Sequence, residues 1–368
     1  MNPNSIWLVV GARPNFMKAA PLHDALRRRG FEHLRIVHTG QHYDHLMSRA
    51  FFEDLNLPDP DCYLEAGSGS HAEQTAKIMV RFERELRRER PGLVVVFGDV
   101  NSTIACGLTA VKQGVPLAHV EAGLRSHDMG MPEEINRRLT DAISDLLFTP
   151  CAGAGENLKR EGVPGERIFF VGNIMIDSLR RVVDALDDET TGGILRRYNV
   201  SPHTYGLVTL HRPSNVDEPD RLRDILKILN RFSAVIPLVF PLHPRTRDRI
   251  ESLPGGFITA PGLAMPPPLR YREFIALEKN AAFVLTDSGG IQEETTYLKV
   301  PCLTLRPNTE RPVTLLLGSN RLVSLAALEE TLRSVAEASA PMRGAGAIPL
   351  WDGGAAERIT DTLLERLG

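Results

Sequence analysis

Residues 283–298 read FVLTDSGGIQEETTYL. An apolar run, a turn of Asp287-Ser288-Gly289-Gly290 and a segment with helical spacing follow one another there, which reads as strand, glycine turn and helix. Working outward, the same succession recurs along the chain. IWLVVG (6–11), LRIVHTG (34–40), LVVVFGD (93–99), PLAHVEAG (116–123), DLLFTP (145–150) and IFFVGN (168–173) occupy the first half. GLVTLH (206–211), PLVFPLH (237–243), GFITAPG (256–262) and PCLTLRP (301–307) flank the opening stretch in the second. Strand runs alternating with helical segments predict parallel sheets covered by helices, an α/β fold. That many strands exceed one compact sheet, and the polar, acidic and glycine-bearing residues from Leu186 to Thr204 suggest a break. The expectation is two Rossmann-like domains with parallel sheets facing an interdomain cleft, 1–178 and 179–354. The amphipathic segment AAERITDTLLERLG (355–368) is expected to pack back on the first domain.

Composition narrows the partners. The 368 residues are 42% hydrophobic and 24% charged, which excludes disordered and collagen-like chains. Forty-three Lys and Arg against 46 Asp and Glu leave a net charge of −3, so no global basic field points to nucleic acid or an anionic membrane. No apolar stretch approaches the roughly 20 residues that span a bilayer. The start, MNPNSIWLVV, runs into a strand without a basic flank or cleavage site, and the expected location is cytoplasmic. Cys62, Cys106, Cys151 and Cys302 are far apart, with no CxxC pair, and read as reduced, mostly buried thiols. No His or Cys spacing suggests zinc, and Asp59-Pro60-Asp61 reads as a proline turn, so no metal is expected. Thr75, Ile78, Met79, Phe82 and Leu86 share one helical face, which leaves the charges of RFERELRRER on a solvated one. Gly67-Ser68-Gly69-Ser70-His71-Ala72 fits a loose dinucleotide pattern but reads as a loop before that helix. PGLAMPPPLR (261–270) reads as a stiff loop.

In doubly wound sheets, ligands bind beyond the carboxyl ends of the strands. The residues there are densely polar: Arg13 and Lys18 after the first run, Gln41 and His42 after the second, Asp99 and Asn101, Glu121 and Arg125, His211 and Arg212, His243 and Arg245, and Ser288 to Glu294. The turn at 287–290 opens a helix whose free N–H groups carry partial positive charge, an arrangement that suits a diphosphate. Gly289 and Gly290 permit close backbone approach, Ser288 can donate, and Glu294 can accept from a ribose hydroxyl. Simple capping by Asp287 or Ser288 is the alternative. Arg13 and Arg311 can either grip phosphate oxygens or pair with carboxylates.

Ten motifs carry a resemblance. GARPNFMK (11–18), HTGQHYD (38–44), FGDVNST (97–103), HVEAGLRS (119–126), MPEEINRRLTD (131–141), GNIMIDSL (172–179), TLHRPSNVD (209–217), HPRT (243–246), TDSGGIQEE (286–294) and NTERPVT (308–314) occur in that order. With them, nearly the whole chain resembles the non-hydrolysing UDP-N-acetylglucosamine 2-epimerases. The resemblance implies the GT-B architecture, a homodimer, and interconversion of UDP-GlcNAc and UDP-ManNAc without an external cofactor. By matching motifs it implies a catalytic set of Asp99, Glu121, Glu133 and His211. It also implies nucleotide contacts from Arg13, Ser288, Gly289, Gly290, Glu294 and Arg311, with Lys18 near the phosphates, Phe274 near the uracil and His243 of HPRT on the substrate. Many bacterial members carry a Gln/Arg-bearing segment for activation by UDP-GlcNAc. Here Gly67–His71 replace it, although Gln41 is present. Some relatives act on a 2,3-diacetamido uronic acid form of the sugar, and HTGQ and HPRT occur there too.

The implied reaction explains why an anion cradle and carboxylates belong together. C2 of the sugar has no neighbouring carbonyl, so removing its proton requires that UDP depart from C1 and take the charge. A neutral 2-acetamidoglucal remains, and returning the proton on the other face before re-adding UDP gives the epimer. A GT-B glycosyltransferase moving a UDP-sugar to an acceptor is the nearest rival reading. A hydrolysing epimerase and a catalytically silent sugar-nucleotide sensor are others.

Overall fold

The computed structural model describes residues 2–40, 55, 57–337 and 347–367. Two units make up the chain, Met1–Ser178 with Pro349–Gly368, and Leu179–Ile348.

The first unit holds a seven-stranded parallel sheet: β1 (Asn2–Val10), β2 (Leu34–His38), β3 (Cys62–Tyr63), β4 (Pro91–Phe97), β5 (Leu117–Val120), β6 (Leu146–Thr149) and β7 (Ile168–Phe170), in the order 3-2-1-4-5-6-7. Ile6, Trp7, Leu8, Val9 and Val10 are all buried, because helices cover both faces of a parallel sheet and leave no polar side to its central strand. Helix His71–Arg88 packs Ile78, Phe82 and Leu86 beside Trp7, and its arginines and glutamates remain outside. Its start explains the Gly-Ser segment. Ser70 Oγ accepts from the Glu73 N–H at 3.3 Å while Glu73 Oε2 accepts from the Ser70 N–H at 3.1 Å, a capping box.

Helix Ala355–Leu367 lies against helix Arg13–Arg28 within this unit. Arg28 Nη2 meets Glu357 Oε1 at 2.6 Å, Arg29 Nη1 meets Asp361 Oδ1 at 2.7 Å, and Asp177 accepts from the Ala355 and Ala356 N–H groups. Residues 349–354 also belong here, whereas the sequence reading carries the second domain to 354. The Trp351 Nε1–H donates to the Pro150 carbonyl at 2.9 Å.

The second unit holds six parallel strands, β8 (Gly206–Thr209), β9 (Leu238–Val239), β10 (Leu263–Ala264), β11 (Phe283–Thr286), β12 (Cys302–Thr304) and β13 (Asn320–Leu322), in the order 10-9-8-11-12-13. Two sequence expectations need correction. GFITAPG is not a strand: Ile258 is 89% exposed, and pairing begins at Leu263, inside the segment read as a stiff loop. The Leu238, Phe240 and Leu242 N–H groups donate to the carbonyls of Gly262, Ala264 and Pro266, a register that uses the proline-rich edge as acceptor and needs no proline N–H. The polar stretch at 186–204 is likewise no linker. It contains helix Asp188–Arg197, started by Asp187 Oδ1 accepting from Thr190 N at 2.6 Å, with Ile194 and Leu195 buried in the same cluster as Ala276 and Leu277.

In each sheet the strand order reverses between two neighbours, β1 and β4 in one and β8 and β11 in the other. The loops leaving these strands on opposite sides open a crevice at each reversal, which places residues 11–18 with 98–101 and residues 210–215 with 287–290.

Candidate active site

In the first unit, β4 ends at Phe97 and the chain turns through Gly98 to Asp99. Gly98 sits at φ +63°, and a Cβ there would lie 2.9 Å from Lys18 Nζ and 3.2 Å from Glu121 Oε2. Both the left-handed backbone and the close approach require glycine. Lys18 and Glu121, both buried, form an ion pair in the space so vacated. Glu121 itself has φ +75°, a strained backbone for a residue with a side chain, and its N–H donates to the Phe148 carbonyl at 3.1 Å.

Asp99 is held from helix Pro132–Ile143. Arg137 Nη1 donates to Asp99 Oδ2 at 2.5 Å, and Asn136 Nδ2 donates to the Asp99 carbonyl at 2.9 Å. Arg137 is buried and also binds Glu134 Oε2 at 2.9 Å. Burial would raise the Glu134 carboxyl, but the Ser126 N–H and the Arg137 guanidinium outweigh it and hold the group below its ordinary value. Glu134 thus anchors the loop at 126–127, whereas its neighbour Glu133 is partly exposed on the helix's first turn. Arg13 begins helix Arg13–Arg28, but its side chain lies outside the described residues, as do Gln41 and His42.

In the second unit, Asp287 settles one sequence alternative. Its fully buried carboxylate accepts from the His211 and Arg212 N–H groups and from Asn215 Nδ2, at 3.0–3.1 Å, and so ties down the loop after β8 instead of capping helix Gly289–Leu298. Ser288 occupies the N-cap position of that ten-residue helix without making a side-chain cap. The first N–H groups of that helix therefore have no side-chain cap.

Arg311 is paired with two carboxylates. Its Nη1 meets Glu310 Oε1 at 2.6 Å and its Nε lies 2.8 Å from Glu293 Oε1. Arg306 Nη2 takes the second Glu310 oxygen at 2.8 Å. Burial opposes the charge on Glu310, yet the Arg311 and Arg306 guanidiniums hold its carboxyl far below the usual carboxylate range. A Cβ on Gly289 would fall 2.5 Å from Arg311 Nη1, so this ion cluster packs directly against the start of the helix.

The imidazoles of His211 and His243 lie 5.4 Å apart, centre to centre, and His243 Nδ1 accepts from the Arg245 N–H at 3.2 Å to cap helix Pro244–Glu251. Burial, with Arg212 and Arg245 nearby, holds His211 below its ordinary value against the pull of Asp287. Phe274 is half-buried on helix Tyr271–Lys279. Glu294 is buried and accepts from the Tyr271 hydroxyl at 2.8 Å. Burial, reinforced by Glu293 and only partly offset by that hydroxyl, pushes its carboxyl up to about 8. Glu278 is buried too, and its carboxyl oxygens have no hydrogen-bond partner among the described residues.

Sequence reasoning missed Arg137, Asn136, Arg306 and Glu310 as supports. For the first two a signal exists: residues 133, 136, 137 and 140 share a helical face in MPEEINRRLTD. All four cysteines are free thiols, Cys62 partly exposed and the others buried. Among the described residues no three His, Cys, Asp or Glu side chains gather to hold a metal ion, and no helix is long and apolar enough to cross a membrane.

Two doubly wound parallel units, one bearing carboxylates on its switch-point loops and the other an uncapped helix N-terminus, define a two-unit α/β enzyme of the GT-B type. A family model described as UDP-N-acetylglucosamine 2-epimerase matches residues 24–364, and the chain belongs to that family. A Methanocaldococcus jannaschii protein named UDP-N-acetylglucosamine 2-epimerase is 44% identical over 321 residues, 86% of this chain and 87% of its own. A Pseudomonas aeruginosa protein named UDP-2,3-diacetamido-2,3-dideoxy-D-glucuronate 2-epimerase is 41% identical over 332 residues, 87% of this chain and 88% of its own. The crystal structure of the M. jannaschii UDP-GlcNAc 2-epimerase in complex with UDP-GlcNAc and UDP matches with a TM-score of 0.87 at 39% identity, covering 98% of this chain and 99% of that one.

Proposed function

We propose that this protein interconverts UDP-GlcNAc and UDP-ManNAc by inverting C2. The observation that carries the reading is membership of the UDP-N-acetylglucosamine 2-epimerase family across residues 24–364, supported by acid–base side chains on the strand-end loops of the first unit and, separately, an uncapped, glycine-bearing helix N-terminus in the second. A base takes the C2 proton while the C–H electron pair forms the C1=C2 bond and the C1–O pair leaves on the diphosphate. The neutral 2-acetamidoglucal then takes a proton on the opposite face of C2 as UDP adds back to C1. Asp99, Glu121 and Glu133 share these transfers, each positioned acid or base contributing roughly 10² to 10⁴ in rate. Ser288, the N–H groups from Gly289 onward, His211, Arg13 and Lys18 receive the diphosphate. A preorganised donor of this kind is worth about 3 to 4 kcal/mol. Arg311 fixes the start of the helix and contributes its charge from beneath. Glu294 accepts from the ribose, Phe274 lies by the uracil, and His243 contacts the substrate.

The reading includes a cytoplasmic homodimer. Exposed Val80, Ile135 and Leu139 on helices His71–Arg88 and Pro132–Ile143 support self-association. A proton NMR time course in heavy water with UDP-GlcNAc alone tests the reaction: a second sugar nucleotide appears, deuterium enters C2 and no free sugar accumulates. Absence of both new nucleotide and C2 exchange refutes it. The Pseudomonas relative motivates a parallel incubation with the 2,3-diacetamido uronate nucleotide, where faster exchange would reassign the substrate and keep the chemistry.

A further inference from the structure

Between the loops that carry Asp99 and Glu121 lies a fully buried side chain to which the reaction above gives no task. His119 stands on β5, two residues before Glu121. Its Nε2 lies 2.8 Å from the Gly98 carbonyl, which can only accept, so an N–H at Nε2 donates to it. Its Nδ1 lies 2.7 Å from Asp141 Oδ1. The other Asp141 oxygen accepts from the Gly123 N–H at 3.1 Å and pairs with Arg125 Nη1 at 2.7 Å. Arg125 is in turn held by Glu161 at 2.9 and 2.6 Å. Asp141 sits on the same helix, Pro132–Ile143, that offers Asn136 and Arg137 to Asp99 and carries Glu133.

We infer that His119, backed by Asp141, is a positioning residue that hangs the Gly98–Asp99 turn, the Glu121–Gly123 turn and the Glu133 helix from one buried point. Three segments distant in sequence meet at this imidazole. Its burial keeps it away from substrate, so it acts only through the groups it holds. Both turns are left-handed, Gly98 at φ +63°, which glycine adopts freely, and Glu121 at φ +75°, a strained backbone that persists only where its surroundings over-determine it. A ring joining Gly98 to Asp141, and Asp141 to Gly123, supplies that constraint. The catalytic consequence rests on the proposed epimerisation, whereas the constraint on the two turns does not.

The test uses His119→Leu, which keeps apolar bulk without a donor, and His119→Gln, which keeps a donor at the reach of Nε2 but not the ring nitrogen that faces Asp141. Amide hydrogen exchange of the unliganded full chain is read first. In His119→Leu, residues 98–101 and 121–124 exchange at least about tenfold faster while β8 and β11 keep wild-type protection. Unchanged exchange in both turns overturns the inference, whether or not the protein turns over UDP-GlcNAc. With UDP-GlcNAc as substrate, kcat falls roughly a hundredfold in His119→Leu, as expected when acid–base groups are misplaced by an ångström. KM and UDP affinity stay within about threefold, the isotope effect from C2 deuterium rises, and His119→Gln recovers part of kcat. Wild-type kcat in His119→Leu, or a loss confined to KM, also overturns it. If His119→Leu does not fold, Asp141→Asn carries the same readouts. Wild-type inactivity on UDP-GlcNAc counts against the proposed reaction alone, and the exchange experiment then decides.

Discussion

Glu294→Gln separates the stability of the second unit from its function. In the folded protein the Glu294 carboxyl holds its proton to about pH 8 instead of releasing it near 4.5, chiefly because of burial. Between those values the folded state binds more protons than the unfolded one, so stability declines as pH rises from about 4.5 to 8 and levels off above that. A group so displaced costs up to about 5 kcal/mol at alkaline pH. Glu278, buried beside it and likewise pushed up by burial, titrates with it, so the expected cost is about 2–5 kcal/mol. Glutamine copies the protonated carboxyl, still accepting from Tyr271, and has no proton to lose. Urea unfolding at pH 5, 6.5 and 8.5 therefore shows wild type and variant close together at pH 5, with the variant increasingly more stable as pH rises. Parallel curves across that range, or a variant that loses ground with pH, would refute the reasoning. UDP affinity at pH 8.5 falls about tenfold in the same variant, because the charged acceptor for the ribose is gone. A more stable protein that binds its ligand less well is the signature of a buried charge retained for recognition.

Asp99→Asn is expected to lower kcat at least about a hundredfold while UDP affinity, measured by calorimetry, is unchanged; near-normal turnover removes Asp99 from the proton transfers. Gly98→Ala forces a Cβ into the Lys18–Glu121 pair at a left-handed backbone, and thermal unfolding should report a loss of about 1–3 kcal/mol along with reduced turnover. Arg311→Ala removes the guanidinium paired with buried Glu293 and leaves Glu310 to Arg306, so about 3–5 kcal/mol of stability is lost besides weaker UDP binding; a stable variant with only a binding defect contradicts the ion-cluster description.

The α/β class, the two sheets and the loops that carry chemistry were legible from residues 283–298 and their echoes, because a parallel sheet buried on both faces demands unbroken apolar runs and sends polar residues to the strand ends. Three short elements escaped that reading, although β7, β9 and β12, which are no longer, lie within runs it named. β3 and β13 are too short to show a period, and β10 pairs through the carbonyls of a proline-rich edge, a pattern that local hydrophobicity does not encode. The segment 186–204 misled because an exposed helix and a linker are alike in composition, and only the burial of Ile194 and Leu195 distinguishes them.

Chain order and residue type by themselves determined which side chains stand after each strand, since that follows from the alternation of runs and turns. Only the tertiary structure decided what each of them does with its charge. Asp287 left the helix it precedes and bound the loop at 211–215, Arg311 gave itself to Glu310 and Glu293, and Lys18 met Glu121 across more than a hundred residues of sequence. The physical reason is the same in each case. A buried charge takes the partner that packing brings within about 3 Å, and no local pattern states which residue that will be.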